Sequence, residues 1–128
     1  MDKSLYAKAF NNHLIEFFDD LLIIFPNEKD ISTGKKSCQT IIKMNITSIL
    51  KMWYNYSSPY NEQIENGDIS FFLEKDYSSD IENTYSKTNI EDIIKRLRQP
   101  IKLLENSNKD KSMKYIQNLT KLAKAYMD

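Results

Sequence analysis

Residues 10–26 read FNNHLIEFFDDLLIIFP, and the placing of their large apolar side chains decides the fold class. Phe10, Leu14, Phe17, Phe18, Leu21, Leu22 and Phe25 recur at spacings of three and four, the period of one helix face. Asn11, Asn12, Glu16, Asp19 and Asp20 fall largely on the other side. A helix from about Ser4 to Phe25 is expected, and Pro26 ends it, because a residue before proline is driven out of the α region. The last turn, Leu21 to Phe25, is apolar all round. It belongs either at the centre of a core or on a partner surface.

The same period returns downstream. A second helix, capped by Asp30 or Ser32, carries a weaker pattern through Cys38, Ile41 and Ile42. Asn45 reads as a break and a new N-cap. Behind it Ile46, Ile49, Leu50 and Trp53 sit at i, i+3, i+4 and i+7. Pro59 suits the first turn of a short helix capped by Ser58. Gly67 is placed to end that helix, and Asp68 to cap the next. Asp76 to Lys87 has no helical period and reads as a surface loop. Thr88 and Glu91 then form a capping box, opening a helix whose face is Ile90, Ile93, Ile94, Leu97, Ile101 and Leu104. Pro100 should kink it, since its ring removes one backbone bond and crowds the preceding turn. Asn106 to Asp110 reads as a polar break. A last helix runs to about Tyr126 with Ile116, Leu119, Ala123 and Tyr126 on one face.

No segment alternates with a two-residue period, and a chain with two glycines and no valine lacks the usual materials of β structure. The expected architecture is all-α: one compact domain over residues 1–128, a bundle of five to seven helices, with a C-terminal helical pair kinked at Pro100. A length of 128 residues fits a single core. The N-terminus shows no signal-peptide pattern, and the longest apolar run, Leu21 to Phe25, is far short of the roughly 20 residues that span a bilayer. No membrane span is expected. Isoleucine, lysine and asparagine supply 44 residues, a bias that A/T-rich coding would produce.

Catalytic templates fail on residue count. One histidine and one cysteine exclude a disulfide framework and the usual zinc ligand sets. His13 and Cys38 lie on different predicted helices, so neither reads as a base beside a nucleophile. Lys35 and Lys36 can lower a nearby thiol pKa, but Cys38 falls on the Ile41 face, where burial is expected. A calcium loop starting at Asp76 would have Ser78 and Asp80 in place, then Ile81 where glycine is needed and Lys87 where glutamate is needed. No enzyme activity, cofactor, metal or small-molecule substrate is expected.

Charge is divided along the chain. Residues 1–86 hold 8 basic and 13 acidic side chains, and residues 87–128 hold 10 and 5, so the formal net charge is zero. Seven carboxylates lie between residues 59 and 82, beside Tyr60, Phe71 and Tyr77. Tyrosine and tryptophan are enriched in binding hot spots. Tyr60, Glu65, Asp68, Phe71, Asp76 and Tyr77 are therefore the candidate partner-binding residues, for a protein partner or a second copy of the chain. Lys95, Arg96, Arg98 and Lys102 are the candidate nucleic-acid contacts. A sequence pI of 6.6 and the predominance of lysine make that the lesser expectation.

Three stretches, FNNHLIEFFDDLLIIFPNEKDI (10–31), SPYNEQIENGDISFFLEKDYSSDI (58–81) and KYIQNLTKLAKAY (114–126), carry a likeness. The chain resembles a family of short helical proteins of the nucleocytoplasmic large DNA viruses, the giant viruses, from about Phe10 to Tyr126. That family supplies no catalytic motif to carry over. The resemblance implies a viral source, synthesis in the host cytoplasm, and a place in the viral factory or the virion. The expected function is thus a non-enzymatic interaction or structural protein. The alternatives are a nucleic-acid-associated protein using the basic helices, or an antagonist of a host protein.

Overall fold

The computed structural model describes residues 3–74 and 89–128. Among them the chain is helical throughout, with no strand: α1 (Lys3–Ile24), α2 (Lys29–Met44), α3 (Ser48–Ser57), a 3-10 turn (Ser58–Tyr60), α4 (Asn61–Glu65), α5 (Ser70–Glu74), α6 (Asn89–Lys102) and α7 (Asn106–Met127). The all-α expectation holds. The loop expected from Asp76 to Lys87 and the Thr88 half of the capping box lie outside the described residues.

The long helices α1 and α7 run antiparallel. Lys3 sits over the Tyr126 ring at one end, and Phe17 stacks on Tyr115 nearer the other, 4.8 Å between ring centroids. The expected stripe of α1 is the core: Phe10, Leu14, Phe17, Phe18 and Leu21 are buried. Its last turn divides. Leu21 faces inward, whereas Ile23 is 78% exposed and Ile24 41%. Asn11, expected on the polar side, is also buried. Its Nδ2 donates to the Ile46 carbonyl at 2.9 Å, which satisfies half of the amide, while the buried Oδ1 has no partner among the described residues.

Helix α2 is capped ahead of either expected position, two residues before Asp30 and four before Ser32. Glu28 is the N-cap, its carboxylate accepting from the Asp30 N–H at 3.4 Å. Ile31, Gly34 and Cys38 form the buried face. Gly34 is there because α1 comes very close: a Cβ at that position would lie 2.9 Å from Phe18 Cε1. At the next turn Asn45 Oδ1 accepts from both the backbone N–H and the hydroxyl of Thr47, each at 3.0 Å. This Asx turn delays the start of α3 to Ser48. Ile46 consequently lies before the helix and is 43% exposed, not at the head of its buried stripe.

Helix α3 buries Ile49, Leu50 and Trp53 against α7. The indole N–H of Trp53 donates to Thr120 Oγ1 at 3.0 Å, and that hydroxyl donates to the Ile116 carbonyl at 2.8 Å. Both polar groups are thereby satisfied inside the core.

Helix α6 buries Ile90, Ile93, Ile94, Leu97 and Ile101, as its sequence period requires. Pro100 stands inside the last turn, and the helix ends two residues later in i→i+3 bonds from Leu103 to Pro100 and from Leu104 to Ile101. Residues 106–110, expected as a polar break, are the exposed opening of α7, with Glu105 as the extended N-cap. Polarity there marks a solvent-facing first turn. The two C-terminal helices follow one another through three residues, yet α6 packs mainly on α2 and α7 mainly on α1 and α3.

Candidate functional site

The acidic, aromatic region is assembled by local chemistry. Pro59 lies in the 3-10 turn that joins α3 to α4. At the end of α4 the N–H of Gly67 bonds the Ile64 carbonyl at 3.1 Å, and the N–H of Asp68 bonds Gln63 at 2.9 Å. This is a Schellman closure, which needs a left-handed residue, and Gly67 supplies it at φ +73°. Asp68 then caps α5, its Oδ1 accepting from the backbone N–H and the hydroxyl of Ser70. These hydrogen bonds hold the Asp68 carboxyl below its ordinary range.

Beneath the turn runs a chain of rings. Trp53 to Tyr56 and Tyr56 to Tyr60 are both 5.7 Å apart, Tyr60 to Phe71 is 5.4 Å and Phe71 to Phe72 is 6.2 Å. Of the candidate residues, then, Tyr60 is half-buried and Phe71 is buried within this chain, while Glu65 and Asp68 stand exposed above it with Glu62. Glu65 approaches Lys124 at 3.9 Å, an exposed pair of small energetic weight. Asp76 and Tyr77 lie outside the described residues.

The basic candidates on α6 line an open groove of about 550 Å³ with Asp30, Asp92 and Gln99. Arg96 is engaged twice, from Nε to Asp92 at 3.0 Å and from Nη1 to Asp30 at 2.9 Å, which ties α6 to α2. Arg98 Nε donates to the Phe72 carbonyl at 3.0 Å and so holds the end of α5. Lys95 and Lys102 are exposed. The arginines of this cluster act as struts within the fold.

A third region lies where α1 meets α7. Along the seam of α1 and α7, the Tyr115 hydroxyl donates to Asp20, and burial together with that bond pushes the phenol up. The His13 ring lies 4.6 Å from Tyr115, and its Nδ1 is 3.7 Å from Glu16. Farther along, the end of α1, Leu104 in the link between α6 and α7, and the first half of α7 line a groove of about 240 Å³. Phe17, Leu21 and Leu104 form its floor, with Asp20 and Lys111 at its edges. The sequence signal for it was the all-apolar turn from Leu21 to Phe25.

Cys38 is buried, and burial pushes its thiol up to about 12. Among the described residues no group of three or more histidine, cysteine, aspartate or glutamate side chains could hold a metal ion, and no helix is long and apolar enough to cross a membrane. Comparison with protein-family models, with curated proteins and with solved structures gives no match to this chain.

Proposed function

We propose that this chain is a non-enzymatic viral protein acting by protein–protein contact, as a component of the virion or of the viral factory. The observation that supports contact is the turn from α4 to α5. Its backbone is closed by Gly67 and capped by Asp68, so Glu62, Glu65 and Asp68 are presented to solvent on a framework already ordered. A preordered acidic edge loses little conformational freedom when it meets a basic surface on a partner. The viral placing rests on the likeness of residues 10–31, 58–81 and 114–126 to the giant-virus family.

The test is charge reversal that spares the cap. Glu62→Lys combined with Glu65→Lys abolishes capture of the partner from infected cells while the helical circular dichroism stays unchanged. Capture that survives both changes removes this turn as the contact surface. Mass spectrometry of purified virions then divides a structural from a factory role.

Nucleic-acid contact is the second reading, supported by exposed Lys95 and Lys102 on the open face of α6. It requires a gel shift that weakens steeply between low and high salt. A chain that shifts neither DNA nor RNA at low salt excludes it.

A further inference from the structure

We infer that the groove between the end of α1 and the first half of α7 is a docking face for a second copy of this chain, the two copies related by a two-fold axis. The inference rests on the contact reading above but uses a different surface. Its first support is a projection and a recess on one patch. Ile23 is 78% exposed, Ile24 41% and Leu103 67%, and the first two line the groove whose floor is apolar. A two-fold contact is isologous, so the patch must be its own complement. A projecting isoleucine beside a recess meets that requirement, each copy seating Ile23 in the other's groove.

The second support is charge. The α1 edge of the groove carries Asp20 and the α7 edge carries Lys111. A partner of uniform charge would meet one attractive edge and one repulsive edge. A second copy, turned through the two-fold axis, brings its Asp20 edge to Lys111 and its Lys111 edge to Asp20, and both contacts are attractive. The chain's formal net charge of zero adds no overall repulsion between copies. The size of the recess agrees. At about 240 Å³ it falls below the roughly 300 Å³ at which pockets for drug-sized ligands begin, and it suits a single inserted side chain.

Sedimentation velocity on the full chain, from low micromolar to near-millimolar concentration, tests this. The unaltered protein forms a dimer as concentration rises, and added salt weakens the dimer. Ile23→Asp raises the dimer dissociation constant about tenfold or more, the effect expected of a central anchor. Because Ile23 is so exposed, that variant keeps its fold, which circular dichroism verifies. Lys111→Glu weakens the dimer by placing like charges opposite each other. Leu5→Asp, also on an exposed apolar position but about 27 Å away along α1, leaves association unchanged. A chain that stays monomeric throughout, a dimer indifferent to Ile23→Asp, or an equal loss from Leu5→Asp overturns the inference. If the chain is monomeric yet the acidic turn still captures its partner, this inference falls and the contact reading stands.

Discussion

The long pair α1 and α7 and the run of short elements from α3 to α5 both close an apolar interior, but by different means. The long helices rely on area: whole faces of Phe, Leu and Ile are hidden, and Gly34 lets α2 press against Phe18. Helices of five residues hide only a few side chains, Ile64 in one and Phe71, Phe72 and Leu73 in the other. They are held besides by a left-handed glycine, a carboxylate cap, the Arg98 bond to Phe72 and a chain of ring contacts. Emptying a buried site should therefore be severe in either region, whereas losing a cap or the left-handed glycine should be modest and local.

The largest expected effect is Phe18→Ala, which empties a fully buried site and costs about 3–5 kcal/mol in urea unfolding. A smaller loss would mean that α2 collapses into the space. Gly67→Ala comes next. Space is open there, with only Gln117 Nε2 at 3.8 Å, so the cost is backbone strain alone, about 1–2 kcal/mol. Gly67→Asn should cost less, since asparagine tolerates the left-handed region.

Gly34→Ala sets two terms against each other. Crowding of Phe18 costs about 1–3 kcal/mol, whereas removing a helical glycine returns about 1 kcal/mol, leaving a small net loss. In the Phe18→Ala background the crowding vanishes and the same change becomes stabilising. A double-mutant cycle showing simple additivity would contradict the close approach of α1 and α2.

The smallest effect concerns pH. The folded Asp68 carboxyl lies below its ordinary 3.8, so its stabilisation is present at neutral pH and is lost as the pH falls below that value. Asp68→Asn keeps an acceptor for the cap and should remove this increment of acid sensitivity. An unchanged acid profile would show that the cap does not depend on charge.

The stripe of α1 was legible because five of its residues do one job at one period. Gly67 and Asp68 were legible because a helix end is satisfied by its nearest neighbours. Gly34 was not, since the need for a missing side chain comes from a ring on another helix. The burial of Asn11 is hidden from the sequence for a similar reason, its acceptor lying 35 residues away at Ile46. Glu28 caps α2 although glutamate is outside the usual set of capping residues, so residue type alone points to Asp30 or Ser32. Residues 106–110 show that a polar run cannot by itself distinguish a loop from an exposed helix opening. For the candidate site, composition found the carboxylates. It did not show that Phe71 belongs to the interior, or that Arg96 and Arg98 are engaged with other elements.

Trp53 is the single tryptophan of the chain, and its indole is fixed by Thr120 where the short elements meet α7. Its fluorescence is therefore a built-in gauge of whether the two halves of the architecture come apart together. One emission transition coincident with loss of helical signal would mark a single cooperative unit. An earlier red shift would mark the short elements peeling from a still-folded pair.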